Sequence, residues 1–224
     1  TIPDAAVLAL APLDRAEATA VLRGFTHDND VVDVLALLKL IDDAKARALH
    51  EERSAAGLLT AVLAAGVTPA SVAVVAKLLP GAPPTNAAGQ GFYDYLLTQG
   101  LLGYADLRAA QLASEQDGRP TLVHLQNSGK IPPAAFTTAV AKFAGLDRAK
   151  VTSRPTSRAA VDALPTLWVR VFGVVPLRAD AKSVTLASTR PLPDEVTAAL
   201  ASFTGRAVAV HLATAQEFTT LRDA

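Results

Sequence analysis

Cysteine is absent from the 224 residues, which removes disulfides, thiolate nucleophiles and cysteine-ligated zinc together. Methionine is absent as well, so the initiator residue is expected to have been processed or trimmed away. Neither sign of charge is in excess: 21 Lys and Arg balance 21 Asp and Glu. No global field therefore draws phosphate backbones or anionic lipid, and nucleic acid is not expected as a partner. No basic leader precedes the apolar residues after Thr1-Ile2-Pro3-Asp4, and signal-peptide organisation is missing, so a cytoplasmic location is expected.

The grammar of catalysis is missing too. A phosphate-binding loop needs a glycine run and then Lys followed by Ser or Thr, but Gly129-Lys130 is followed by Ile131 and preceded by no such loop. The four histidines, His27, His50, His124 and His211, fall in different segments, and none has the His-x-x-x-His spacing of a metal site. His27-Asp28-Asn29-Asp30 reads as a helix cap and turn before Val31. The run from Arg47 to Arg53 reads as a solvated helix face with local ion pairs. His211 alternates with core valines, as a partly exposed strand residue does. Neither an enzyme nor a bound cofactor or metal is expected.

What is present is apolar substance. Half the residues are hydrophobic, and the chain exceeds the usual domain size of roughly 100 to 150 residues, so two or three packed units are expected. Ser54 to Ala76 runs 23 residues without a charge, long enough in principle to span a bilayer. Gly66-Val67-Thr68-Pro69 interrupts it with the signals of one helix stopping and another starting, so two short buried helices are expected and no membrane insertion.

Proline- and glycine-rich joints divide the chain into three zones. Residues 1–80 read as a helical bundle, closed by Pro80-Gly81-Ala82-Pro83-Pro84. Residues 91–150 form a second helical zone. In it Phe92, Tyr95 and Leu96 share a helix face ending at Gly100, and Phe136, Val140 and Phe143 line a helix that begins after Pro132-Pro133. Residues 160–224 change character. Leu164, Leu167, Trp168 and Val171 repeat at helical intervals; Val174 to Leu177 and Ser183 to Ala187 read as strands joined by an Asp180-Ala181-Lys182 turn. A helix from Pro193 should bury Val196, Leu200 and Phe203 and end at Gly205. Ala207 to Leu212 alternates as a half-buried strand, and Thr214 with Glu217 forms a capping box ahead of Phe218 and Leu221. The expected class is α+β: short-helix bundles, then a small unit ordered helix-strand-strand-helix-strand-helix around a three-stranded sheet.

That last unit resembles the αβ half of the N-terminal domain of type II secretion and type IV pilus assembly ATPases. Leu164-Pro165, Val174-Val175-Pro176-Leu177, Val184-Thr185-Leu186-Ala187, Pro191-Leu192-Pro193-Asp194, Thr204-Gly205, a Val-x-Val strand and Ala213-Thr214 carry the resemblance by their order and spacing. Residues 91–150 are similar to the helical half, which in that family contains paired helix-turn-helix units. Leu96 to Leu102 with Leu107 and Ala110 resembles one unit; Leu122 to Leu125 with Gly129, Ile131, Phe136 and Ala139 resembles the other.

The resemblance implies a non-catalytic docking or regulatory module, acting by protein-protein binding on a secretion or pilus component such as the cytoplasmic part of an inner-membrane platform protein. It implies a location peripheral to that membrane at most. Phe92, Tyr93, Tyr95 and Tyr104, where exposed, are the candidate partner anchors, set against the plainer reading that they fill the bundle core. The alternative it implies is a cyclic di-GMP receptor coupling a second messenger to secretion or motility, since pilus-type members bind that nucleotide through the paired units. Leu96, Gly100, Leu125 and Gly129 are the candidate residues. Against it, Gly91-Phe92-Tyr93 stands where the family has Arg-Leu-Gly and Thr121-Leu122 where it has Leu-Gly, so an arginine suited to the nucleotide is missing.

Residues 31 to 79 look like a degenerate repeat of the second zone. Val31 to Leu35 parallels Phe92 to Leu96 and Leu40-Ile41 parallels Leu101-Leu102. Further on, Leu49 and Glu52 parallel Leu112 and Glu115, the offset drifting from 61 to 64. Alanine- and leucine-rich helices align easily, and that reading stands beside the repeat.

Overall fold

A computed structural model of the chain describes residues 28–51, 83, 84, 86, 88–149 and 158–223. The uncharged stretch 54–76, His27, the repeat beyond Glu51 and most of the proline joint lie outside them. The chain divides into two compact units, Thr1–Pro83 with Leu112–Val123, and Pro84–Gln111 with His124–Ala224.

In the first unit α1 (Asp28–Leu37) packs on α2 (Asp43–Glu51). Helix α1 starts at Asp28, three residues earlier than the expected cap before Val31. Val32, Val34 and Leu35 are buried on α1, and Ile41, Ala46 and Leu49 on the arm that follows; Val32 with Leu35 and Ala46 with Leu49 lie three apart, on one helix face. The Asp42 carboxylate accepts the Lys45 amide at 2.7 Å and so caps α2. His50 does not act within its own helix face: its Nε2 lies 3.2 Å from Asp33 Oδ1 on α1, tying the two helices together.

In the second unit the helices are α3 (Phe92–Thr98), α4 (Tyr104–Asp117), α5 (Thr121–Asn127) and α6 (Pro133–Ala144), of which α4 and α5 each run across the boundary between units. Pro133 opens α6, where its missing N–H costs nothing. Gly145 closes it in the left-handed region, with the Leu146 amide donating to the Ala141 carbonyl at 2.8 Å. Phe136, Val140 and Phe143 are buried as their spacing demands. Phe92 meets Phe136 edge-on at 5.9 Å and Phe143 at 5.1 Å between ring centres, which locks α3 against α6.

The αβ part contains α7 (Arg158–Val161), α8 (Thr166–Phe172), β2 (Val174–Ala179), β3 (Ser183–Ser188), α9 (Asp194–Thr204), β4 (Ala207–Leu212) and α10 (Ala215–Arg222). The sheet has four strands rather than three, in the order β1-β4-β3-β2. The additional strand, β1 (Asp147–Arg148), runs parallel to β4 with Asp147 opposite His211 and Arg148 opposite Leu212. Two polar residues carry no alternation to read; β1 exists because the edge of β4 offers backbone partners, among them the Leu212 carbonyl, which accepts the Ala149 amide at 2.8 Å. Strand β2 pairs antiparallel with β3, and β3 parallel with β4.

The β2–β3 turn is held by Asp180, whose carboxylate accepts the amides of Lys182 and Ser183, both at 2.8 Å, and the Ser183 hydroxyl. Those donors hold the carboxyl below its ordinary pKa. On one sheet face Val175, Ala187, Ala149 and Ala213 pack under Leu221 of α10, with Leu177 and Phe218 alongside. Helix α8 forms from Thr166 to Phe172, so spacing prevailed over the β-branched composition of Val169 and Val171. One burial expectation is corrected. Phe203 is 51% exposed; it lies over Trp168 at 4.9 Å between ring centres instead of entering the core.

Candidate functional site

The turns that join the short helices share one construction. In the α3–α4 turn the Gly100 amide donates to the Leu97 carbonyl and the Leu101 amide reaches back to the Leu96 carbonyl, each at 3.0 Å. That closure requires a residue with positive φ, and Gly100 supplies it at 65°. The α5–α6 turn uses Gly129 at 66°. Here the Ser128 hydroxyl donates to the Leu125 carbonyl at 2.8 Å and accepts the Lys130 amide at 3.3 Å, linking those two positions through a side chain. The α1–α2 turn repeats the first pattern with Lys39 at 58°, its amide on the Ala36 carbonyl and the Leu40 amide on Leu35.

The side chains beneath follow the same template. Leu35, Ile41, Ala46 and Leu49 are buried in the first hairpin, Leu96, Leu102, Leu107 and Ala110 in the second, and Leu125, Ile131, Phe136 and Ala139 in the third. Fixed offsets of 61 and then 29 relate the three sets, and the same offsets relate Lys39, Gly100 and Gly129. By burial Leu49 matches Ala110, since Leu112, set opposite it in the sequence, is 42% exposed; the later pairs of the proposed repeat lie outside the described residues.

Each candidate residue now has a place. Leu96 and Leu125 are buried under their turns, where they hold the turn in position and present nothing to solvent. Gly100 and Gly129 are exposed. A Cβ added at either would meet no atom within 4 Å, so the surface above both backbones is open to a flat group. Phe92 is 3% exposed and belongs to the core, which withdraws it from the partner-facing candidates. Tyr93 and Tyr95 are half-buried. Tyr104, the first residue of α4, is 79% exposed.

A cross-connection that spacing did not disclose joins the two glycine turns. Lys130 Nζ, one residue past Gly129, lies 3.5 Å from Asp106 Oδ1 in the first turn of α4. Asp106 also stands beside Gly103, where a Cβ would approach its carboxylate to 3.2 Å. The only sequence signal was the opposite charge of two residues that adjoin the turns. Among the described residues no group of three or more His, Asp or Glu side chains could hold a metal, and no helix is long and apolar enough to cross a membrane. The arrangement offers open backbone, one ion pair and one exposed aromatic ring, which suits recognition.

Residues 144–224 match the MshEN domain. No curated protein matches the chain. Among solved structures, that of MshE with cdg is similar over 60% of this chain and 97% of its own length, at 18% identity and a TM-score of 0.52. The N-terminal domain of XpsE is similar over 58% of this chain and 91% of its own, at 21% identity and a TM-score of 0.37. At such identity the MshE likeness concerns the fold, and 60% is more than residues 144–224 amount to, so the shared fold reaches back into the short helices.

Proposed function

We propose, on the premise that residues 144–224 form an MshEN domain of the kind found in N-terminal regions of type II secretion and type IV pilus ATPases, that this protein is a non-catalytic docking module. Its paired helix turns would receive a protein partner from the secretion or pilus machinery, which would also bring it to the inner membrane from the cytoplasmic side. The observation that carries the reading is Tyr104, a large amphipathic ring left 79% exposed at the start of α4, while Phe92, Phe136 and Phe143 close the core behind. Exposed aromatic residues concentrate binding energy at interfaces because they cover much area at little entropic cost. The test is binding of the purified chain to the cytoplasmic segment of an inner-membrane platform protein. Tyr104→Ala should weaken it by about tenfold or more with the fold intact; undiminished binding by that variant would remove Tyr104 as the anchor.

A second reading has its own support. Two glycine turns lie open within one unit, and MshE, which shares the fold, was solved with cdg. Cyclic di-GMP could therefore lay its flat bases over Gly100 and Gly129, with Leu96 and Leu125 fixing the turns from below. Saturable heat on titration with cyclic di-GMP supports this reading, and a flat titration ends it.

A further inference from the structure

We propose that Lys130 is the side chain by which this site recognises a ligand phosphate and that Asp106 is its built-in competitor, an assignment that rests on the cyclic di-GMP reading. The turns Gln99-Gly100-Leu101-Leu102-Gly103 and Ser128-Gly129-Lys130-Ile131-Pro132 contain a single cationic residue, Lys130. Within these two turns Lys130 is therefore the cation that a phosphodiester would meet.

The geometry shows how Lys130 is kept until needed. Its ammonium lies 3.5 Å from the Asp106 carboxylate, with the two side chains 62% and 39% exposed. That separation is longer than the roughly 2.7–2.9 Å of a strong charge-assisted hydrogen bond, and exposed pairs of this kind exchange partners readily. Asp106 keeps a favourable setting when Lys130 leaves, because it sits in the first turn of α4, where the unpaired amides of the helix attract an anion. Departure of the lysine therefore leaves neither group stranded. Lys130 also follows Gly129 directly, so an anion over the open backbone of that turn is within reach of the ammonium on its flexible stem. With Asp106 in place the pair is neutral and attracts no anion from a distance. A ligand must offer phosphate oxygens at the turn to displace the carboxylate.

The test is calorimetric titration with cyclic di-GMP of the full chain and three variants, each checked for an unchanged circular dichroism spectrum. Lys130→Gln should weaken binding about tenfold, the change equivalent to about 1.4 kcal/mol. Lys130→Arg should retain most of the affinity, and Asp106→Asn should tighten binding by about threefold because the competitor is removed. A merely structural Asp106–Lys130 pair would make both partners' variants weaker together. If the parent chain binds and Lys130→Gln binds equally well, the assignment of Lys130 is overturned while the cyclic di-GMP reading stands. If Asp106→Asn binds less tightly, the competitor role is overturned. If the parent chain gives no heat, the reading and the assignment fail together.

Discussion

Lys39, at φ 58°, holds in the α1–α2 turn the place that Gly100, at φ 65°, holds in the α3–α4 turn. Both close a helix by the same pair of backbone bonds. A side chain in the left-handed region crowds its own carbonyl, at a cost of about 1–2 kcal/mol; glycine escapes it but gives up more freedom on folding. Lys39→Gly should therefore stabilise the chain modestly, by about 0.5 kcal/mol after that offset. Gly100→Ala and Gly129→Ala should each destabilise it by about 1 kcal/mol, although no neighbouring atom obstructs a Cβ at either position. Urea unfolding of the three variants checks the opposite signs.

The shared template also supports the proposal that residues 31–79 repeat the following helical zone. Over residues 35–49 the buried set recurs position for position, and Lys39 stands in the left-handed region where the other two turns have glycine.

Glu217 should make the stability depend on pH in the acid range. Burial pushes its pKa up, but the Thr214 amide at 2.7 Å, the Thr214 hydroxyl and the Arg148 guanidinium at 2.8 Å outweigh that and hold the carboxyl below its ordinary 4.5. A depressed native pKa means that the stabilisation is fully present above the unfolded value and is lost as pH falls through the native one. Glu217→Gln should cost about 1 kcal/mol at pH 7, a figure reduced for solvent screening, and the difference from the parent chain should shrink at pH 3. Thr214→Ala should cost about 1 kcal/mol through loss of the cap itself. Chemical denaturation at the two pH values separates these contributions.

The parts of this fold legible in the sequence are those fixed by local chemistry. Thr214 and Glu217 announced their capping box and Asp180 its turn, because each satisfies backbone groups within four residues of itself, and Gly205 announced the end of α9 because it takes the left-handed conformation there. The helix α8 was legible only through spacing. Strand β1 was not legible, since Asp147 and Arg148 carry no pattern of their own and become a strand by pairing with a segment more than sixty residues away. At the candidate turns Gly100 could be read from its place after an apolar helix face, while Gly129 entered only through the family resemblance. The Lys130–Asp106 contact could not, because only the folded second unit sets their turns side by side.

Phe92 and Tyr104 should separate stability from recognition. Phe92 touches Phe136 and Phe143 from a fully enclosed position, so Phe92→Ala leaves a cavity that its neighbours fill only in part and should cost about 3–5 kcal/mol. Tyr104→Ala removes a ring that stands in solvent and should shift stability by no more than about 0.5 kcal/mol. A thermal unfolding series on the two variants tests the contrast; comparable losses would mean that Tyr104 is packed.

Trp168 is the single tryptophan of the chain, which makes its packing visible by fluorescence. It is buried at the centre of α8, meets Phe172 at 5.5 Å and is covered on its outer side by Phe203 of α9 at 4.9 Å between ring centres, tilted 34°. Because Phe203 is itself half in solvent, it acts as a lid over the indole more than as core material. Phe203→Ala should cost about 1 kcal/mol, the scale of an aromatic pair with partial burial, far less than a truncation in a closed core. It should also shift the Trp168 emission to longer wavelength and admit iodide quenching that the parent chain resists. Phe203→Leu, which keeps an apolar cover without the ring, should recover the protection from quencher and only part of the stability. An emission spectrum unchanged in Phe203→Ala would mean that the indole is shielded by α8 and β2 alone, and that the exposed ring on α9 is free to serve another surface.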